Sequence, residues 1–227
     1  KPRSVILMEN LRFYKEETEG DHKFAEELSR LGDIYVNDAF GTCHREHAST
    51  AVIAKYFDNR KFAGLLLQKE LEAINQISNH GQKPVLAILG GAKISTKISL
   101  IDSLSNSMDK VILGGGLANT CLVAQGFDVG TSLFEESSLI YAKELIKNPK
   151  IIVPQTVIVS DNPEKKGRVT HVNSINKNES IFDIAPEALI ELEPVIQNAG
   201  TILWNGPIGF FEKENFAKGT LMIADMI

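Results

Sequence analysis

Cysteine is scarce in this chain: Cys43 and Cys121 are the only two among 227 residues. So few thiols exclude a disulfide-bonded scaffold and suit a reducing compartment, so we expect a cytoplasmic protein. Long apolar runs are also missing, since none approaches the ~20 residues that cross a bilayer. No signal-peptide pattern is present either. We therefore expect no membrane partner.

Basic residues are not in excess, with 24 Lys and Arg against 29 Asp and Glu. Proteins that bind nucleic acid usually carry a basic face, so this balance argues against nucleic acid as a partner. It leaves room for a local basic pocket. Internal repeats and low-complexity tracts are absent as well, and the composition is that of an ordinary globular protein.

Several ligand-binding motifs are missing. No segment has the Gly-x-x-x-x-Gly-Lys-Ser/Thr spacing of a Walker A loop. The segment VILGGGLANT fails the Rossmann pattern because Asn119 stands where its last glycine is needed, which weakens the hypothesis of a dinucleotide-dependent dehydrogenase. His44 and His47 lack the further ligands of a zinc motif, so we expect no metal ligands among the side chains.

What the chain does have is a regular alternation of short apolar runs and amphipathic segments. Nearly unbroken apolar runs are typical of parallel strands that are covered on both faces. The predicted strands are residues 5–8, 34–36, 85–89, 111–113, 151–153 with 157–159, and 201–204. Strands and helices in alternation predict right-handed βαβ units and an α/β fold of three layers.

Three apolar stripes predict the helices between these strands. They are Leu67/Leu71/Ile74/Ile77, Ile98/Ile101/Leu104/Met108 and Leu189/Leu192/Val195/Ile196. The first helix, about 65–79, is the predicted domain boundary, with a partial domain before it and a larger one after it. The polar segment 161–180 predicts irregular or hairpin-like structure.

The segment PVLAILGGAKISTK, residues 84–97, is the strongest candidate for an anion site. An apolar strand ends at Gly90 and Gly91, and Lys93 and Lys97 follow before a helical pattern begins. Glycines let backbone N–H groups approach a phosphate, and a helix N-terminus and lysines add positive charge. The segment therefore predicts a polyphosphate site.

Two arginines follow two other predicted strands. Arg12 comes after residues 5–8, and His44 and Arg45 come after residues 34–36. A single arginine is most often a surface ion-pair former, but two at two strand ends favour an anion pocket. The acidic run of Glu16, Glu17 and Glu19 is interpreted as a solvated face.

Two further segments lie at predicted strand ends. Gly114, Gly115 and Gly116 expose backbone to a bulky ligand or simply allow close strand–helix packing. In ILWNGPIGFFE, Asn205 suits a phosphate and Glu212 suits a ribose hydroxyl; the alternative is an ordinary turn with a solvated glutamate.

Five motifs, taken in order, resemble those of phosphoglycerate kinases: ENLRF, VNDAFGTCHR, LGGAKISTK, GGGLANT and WNGPIGFFE. The resemblance implies a monomeric glycolytic phosphotransferase. Such an enzyme moves phosphate reversibly between 1,3-bisphosphoglycerate and ADP, giving 3-phosphoglycerate and ATP, with Mg²⁺ bound to the nucleotide. It also implies two three-layer αβα lobes with parallel sheets. These are an incomplete phosphoglycerate-binding lobe in residues 1–63, a hinge helix in 64–82, and a nucleotide-binding lobe in 83–227 that is truncated at its C-terminal end.

The resemblance also implies roles for individual residues. Arg12 and Arg45 would bind the phosphate of phosphoglycerate, with His44 beside them. Lys93 and Lys97 would hold nucleotide phosphates, with Lys97 at the phosphoryl group that moves. The remaining nucleotide contacts would come from Gly91, Gly114, Gly115, Gly116, Asn205, Gly206 and Glu212.

The chain departs from the family pattern in several places. The family's early Arg-x-Asp-x-Asn-x-Pro and His-x-Gly-Arg-Pro segments and its late Gly-Gly-Gly-Asp loop are not in this sequence. Thr96, Ala185 and Cys43 replace residues that are frequent there. We therefore expect an internal fragment of such a kinase that transfers phosphate very slowly or not at all. The alternative is a non-catalytic nucleotide-binding α/β module.

Overall fold

The computed structural model describes residues 4–227, without the side chains of residues 78–80. The chain forms two compact units, Lys1–Asn79 and His80–Ile227. The division falls at the end of the predicted boundary helix. The finer division into lobe, hinge helix and lobe stays a prediction.

The first unit is built on a pair of short parallel strands, β1 (Tyr35–Asn37) and β2 (Lys61–Ala63). Its helices are α1 (Lys15–Glu19), α2 (His22–Ser29) and α3 (Leu65–His80), with shorter helical turns at Leu11–Phe13, Phe40–Thr42, Ala48–Val52 and Ile53–Tyr56. A small apolar core packs α2 against these turns through Ala25, Ala48, Val52, Ile53 and Phe57. Asp38, directly after β1, accepts a hydrogen bond from the Leu67 backbone N–H at 2.9 Å, and so caps the first turn of α3.

The strand predicted at residues 5–8 is wrong. This segment has no regular structure, and Val5 and Leu7 are 96% and 95% exposed. An apolar run becomes a strand only when another strand satisfies its backbone groups, and within residues 4–227 the first unit's sheet contains β1 and β2 alone. Strand β2 was not predicted, because a strand of three residues between Arg60 and Gly64 is too short to show a recognisable hydrophobic pattern.

The second unit contains two sheets. Its helices are α4 (Ile98–Ser107), α5 (Gly115–Ala124), α6 (Leu139–Leu145), α7 (Pro186–Gln197) and α8 (Lys218–Met226). Its strands are β3 (Val85–Leu89), β4 (Lys110–Leu113), β5 (Ile151–Ile152), β6 (Thr156–Ser160), β7 (Arg168–His171), β8 (Ser180–Ile184) and β9 (Thr201–Asn205). The first sheet is parallel, in the order β5-β4-β3-β9, and the second is antiparallel, in the order β7-β6-β8.

The parallel sheet is covered on both faces, as the unbroken apolar runs predict. On one face, Leu86, Ile88 and Ile112 pack with residues of α7 and α8. The other face of β3 is buried as well, since all five of its residues are buried. The expected α/β class with parallel sheets is confirmed.

Residues 157–159 differ from the prediction. They form part of β6, which pairs antiparallel with β7 and β8 instead of joining a parallel sheet. Val157 and Val159 are buried, so this run has the same apolar character as a central parallel strand. Burial on both faces does not encode strand direction. The hairpin expected in 161–180 is confirmed, because β6 turns back into β7 through a loop that contains Pro163 and Gly167.

No helix in the described part of the chain combines the length and apolar character needed to cross a membrane.

Candidate functional site

Three strand ends of the second unit meet at one edge of the parallel sheet. In the register of the sheet, Leu89 lies beside both Leu113 of β4 and Asn205 of β9. The glycine turns that follow β3 and β4, and the NGP turn that begins at the end of β9, therefore start side by side. Hydrogen bonds join them, from Gly90 N–H to the Asn205 carbonyl at 3.0 Å and from Gly114 N–H to the Leu89 carbonyl at 2.8 Å.

Lys97 is the cation at the centre of this edge. Its Nζ donates a hydrogen bond to Asn205 Oδ1, which links the turn after β3 to the end of β9. A methyl group added to Gly91 would lie 3.2 Å from Lys97 Cε, so the lysine stem runs across this glycine. Partial burial lowers the pKa of Lys97. Lys93, by contrast, is exposed, and its carbonyl accepts from Thr96 Oγ1 at 2.9 Å.

The predicted glycines allow close packing of the turns. A Cβ at Gly116 would lie 2.1 Å from the Ala92 carbonyl oxygen, and one at Gly114 would lie 2.6 Å from Ile208 Cβ. The N–H of Gly90 is already used by Asn205, so this glycine lies against the neighbouring turn and its N–H is not free for a phosphate. The structure therefore supports close packing for this cluster, and its role as a surface for a ligand stays a prediction.

A cavity of about 450 Å³ opens beside these turns. Four predicted site residues line it: Gly91, Gly115, Gly116 and Glu212. Its apolar wall includes Leu122, Val157, Ile181, Phe182, Ile208 and Phe210. Lys97, Asn205 and Gly206 do not line the cavity; they adjoin it through Gly91 and Pro207, which do. An apolar cavity with a lysine beside one of its glycines suits a ligand that has a flat apolar part and an anionic part.

Asp183 is a cavity residue that the sequence analysis missed. Its side chain is 1% exposed and accepts from the backbone N–H groups of Gly219 at 2.7 Å and Ile184 at 2.9 Å. Burial raises the pKa of Asp183 to about 7, and the two hydrogen bonds oppose that shift. The signal for it was a single aspartate inside the apolar stretch IFDIA. Ala185, the departure two residues later, is fully buried.

The first unit has a cavity of its own, of about 330 Å³. Arg12 lines it, with Asn10, Asn37 and Asp38 among its polar neighbours. His44 and Arg45 are exposed in the turn that follows Phe40–Thr42 and do not line this cavity. The backbone of Arg45 lies next to it, because its carbonyl accepts from the cavity residue Thr50 at 2.8 Å. The structure thus brings one of the three predicted residues to the cavity.

The sequence did not predict that buried polar residues line the same cavity as Arg12. Glu17 is 3% exposed, so the interpretation of the acidic run as a solvated face is wrong at this position. Its carboxylate accepts from Ser49 N–H at 3.0 Å and Ser49 Oγ at 2.7 Å, and His47 Nδ1 lies 3.7 Å from it. Glu17 therefore ties α1 to the turn that starts at Ala48, and all three residues border the cavity.

Among the side chains that the structure describes, those of residues 4–77 and 81–227, no group of three or more His, Cys, Asp or Glu is arranged to hold a metal ion. The two cysteines are unpaired; Cys43 is exposed, and burial raises the pKa of Cys121 to about 12.

These features define a class: a two-unit α/β protein with a cationic strand-end site and an adjoining apolar cavity. The chain belongs to the phosphoglycerate kinase family, because the model of the family described as phosphoglycerate kinase matches residues 1–227.

Curated relatives and solved structures agree with this assignment. Phosphoglycerate kinases from Baumannia cicadellinicola and Clostridium botulinum are 44% and 43% identical over 99% of this chain. The chain spans 58% of the length of each. The structure of phosphoglycerate kinase from Coxiella burnetii matches 96% of the chain with a TM-score of 0.81 and 42% identity. The enzyme from Pyrococcus horikoshii matches 96% of the chain with a TM-score of 0.82 and 29% identity, and the chain covers 57% and 58% of these two structures.

Proposed function

We propose that this chain is part of a phosphoglycerate kinase, which transfers a phosphoryl group reversibly between 1,3-bisphosphoglycerate and ADP. The observation that carries the proposal is Lys97, held between Asn205 and Gly91, a glycine that lines the cavity in the second unit. Family membership supports the same reaction.

In this proposal the nucleotide occupies the second unit. The base lies in the apolar part of the cavity, beside the stacked rings of Phe182 and Phe210, whose centroids are 6.0 Å apart. Glu212 accepts from a ribose hydroxyl, and Lys93 and Lys97 neutralise phosphate oxygens. Asn205, by accepting from Lys97, keeps that amine at the end of β9. Such positioning and charge neutralisation supply most of the catalysis in phosphoryl transfer.

Phosphoglycerate binds the first unit in this proposal, with Arg12 at its phosphate. Arg45 and His44 would join it from the adjacent exposed turn. Arginine suits this task because its planar guanidinium binds phosphate oxygens in pairs. Since donor and acceptor must meet for transfer, we propose that α3 acts as the hinge between the two units.

Magnesium enters as part of the nucleotide in this proposal. The described residues do not form a metal cage of their own. Mg²⁺ usually keeps several waters and binds through substrate phosphates, so a dedicated protein site is not required. A cytoplasmic location belongs to the same proposal and is supported by the exposed, unpaired Cys43.

For the 227-residue chain by itself, we propose nucleotide binding with little or no transfer. Calorimetry with Mg-ADP, NAD and 3-phosphoglycerate tests this, together with an assay of ADP-dependent transfer. We expect Mg-ADP to bind, and the double variant Lys93→Ala/Lys97→Ala to weaken it by about 100-fold, because two charge-assisted contacts are lost.

The matched control is Lys143→Ala, an exposed lysine of α6, which should leave the ADP affinity unchanged. Binding of NAD without ADP would refute the kinase assignment. Turnover close to that of a complete kinase would refute the proposed inactivity of the chain.

A further inference from the structure

A carboxylate that does not line the cavity accepts two hydrogen bonds from the turn that carries Lys93 and Lys97. Glu135 Oε2 accepts from the Ser95 backbone N–H at 2.8 Å, and Oε1 accepts from Ser95 Oγ at 2.5 Å. Ser95 lies midway between Lys93 and Lys97. Both carboxylate oxygens of Glu135 thus engage one residue in the middle of this turn. These hydrogen bonds, helped by the charge of Lys93, lower the pKa of Glu135, so it is ionised at neutral pH.

Glu135 is itself anchored to α5. Its backbone N–H donates to Thr120 Oγ1 at 3.1 Å, and Thr120 Oγ1 donates to the Gly116 carbonyl at 2.8 Å. One residue earlier in the same helix, Asn119 Nδ2 donates to the Leu133 carbonyl at 3.0 Å. Thr120 is fully buried. The segment that presents Glu135 is therefore fixed to the same helix that carries the cavity's glycines.

The fixed carboxylate constrains the turn that carries the two lysines. The turn closes on itself through Lys97 N–H to the Ile94 carbonyl at 2.9 Å and Thr96 Oγ1 to the Lys93 carbonyl at 2.9 Å. Within this turn, Ser95 is the residue held from another segment by both its N–H and its hydroxyl. The charge of this carboxylate by itself would repel phosphate, so any gain in ADP affinity must come from the two hydrogen bonds by which it braces the turn.

We propose that Glu135 is a positioning residue that holds the turn of residues 91–97 so that Lys93 and Lys97 face the nucleotide phosphates. This inference rests on the proposed nucleotide site. It assigns to Glu135 no contact with the nucleotide itself.

Binding of ADP and of adenosine to five proteins tests the inference: the unchanged chain, Glu135→Gln, Ser95→Ala, the double variant Glu135→Gln/Ser95→Ala and the control Glu136→Gln. Glu136 is the exposed neighbour in the sequence. We expect Glu135→Gln to weaken ADP by roughly tenfold, the size of one lost hydrogen bond to a charged group, and to leave adenosine affinity unchanged. Ser95→Ala should weaken ADP less, and the two changes together should be less than additive.

Each other outcome has a distinct meaning. Tighter ADP binding in Glu135→Gln would show simple repulsion and overturn the inference, as would an equal loss of ADP and adenosine affinity. An unchanged ADP affinity would also overturn it, while leaving the nucleotide site intact. Failure of the unchanged chain to bind ADP would instead refute the proposed function.

Hydrogen exchange without ligand supplies a readout that does not depend on nucleotide. Amides of residues 92–97 should exchange faster in Glu135→Gln than in Glu136→Gln, because the Ser95 N–H loses its charged acceptor. Equal exchange in the two variants would contradict the brace.

Discussion

Among single residues, Asp183 shows how the cavity balances burial against hydrogen bonding. Its carboxyl group touches two turns at once, since a Cβ at Gly209 or at Gly219 would lie within 2.4 Å of Asp183 Oδ1. Asp183 accepts a hydrogen bond from the Gly219 N–H, which belongs to the first turn of α8. A negative charge is favourable at this end of a helix. Burial nevertheless dominates and raises its pKa to about 7.

The stability of the second unit should therefore fall as pH rises. The folded-state pKa of Asp183, about 7, lies above the ordinary pKa of an aspartate, 3.8, so the folded chain holds the proton more tightly between these two pH values. The free energy of unfolding should decrease from pH 4 to pH 7, by up to about 1.4 kcal/mol per pH unit, and level off above. Urea unfolding followed by the fluorescence of the single tryptophan, Trp204, measures this.

Asp183→Asn should remove most of that slope whatever it does to the absolute stability. Asp225→Asn, which changes an exposed aspartate of α8, should keep the slope. A slope that is the same in both variants would show that another group is responsible.

At the scale of elements, the first turn of α5 packs closely against the turn after β3, and hydrogen bonds hold it there. Leu117 N–H donates to the Gly91 carbonyl at 3.2 Å, and Gly115 N–H donates to the Ile208 carbonyl at 2.8 Å. The first helical turn is thus bonded to the two segments that flank it, and it lines the cavity through Gly115 and Gly116.

Gly116→Ala should destabilise the second unit by roughly 1–3 kcal/mol, because the new methyl group overlaps a backbone carbonyl. In a helix with free space, the same change would stabilise by up to about 1 kcal/mol through propensity alone. Urea unfolding followed by Trp204 fluorescence separates the two signs. A gain in stability would mean that the packing of α5 on Ala92 is looser than described.

The elements also show what sequence patterns can and cannot predict. Runs such as 85–89 are predicted well, because five consecutive apolar residues fit a strand buried on both faces. Residues 5–8 carry the same pattern but lack a partner strand among the described residues, and residues 157–159 carry it in an antiparallel sheet. Pairing partners and strand direction depend on distant segments, which local periodicity does not contain.

At the candidate site, too, local patterns predict residues near strand ends but not residues whose partners are distant in the chain. The convergence of Lys97, Asn205 and the glycines was predictable, because each lies at or after the end of an apolar strand and the strand ends of a parallel sheet meet at one edge. Asp183, Glu135 and Glu17 were not, since their importance comes from partners 36, 40 and 32 residues away in the chain. A carboxylate with a remote backbone partner has no local signature.

Across the whole molecule, the two units present different chemistry. The second combines an apolar cavity with lysines at a strand edge, and the first combines an arginine with buried polar residues around a smaller cavity. That difference supports the assignment of nucleotide to one unit and of a small phosphorylated acid to the other. In the second unit, Lys97 and the cavity should hold one ligand together.

The most direct test is a crystal structure of the chain with Mg-ADP. We expect the base in the cavity beside Phe182 and Phe210, a ribose hydroxyl at Glu212 and a phosphate oxygen within hydrogen-bonding distance of Lys97 Nζ. ADP bound elsewhere, or bound in the cavity with its phosphates turned away from Lys97, would contradict this expectation.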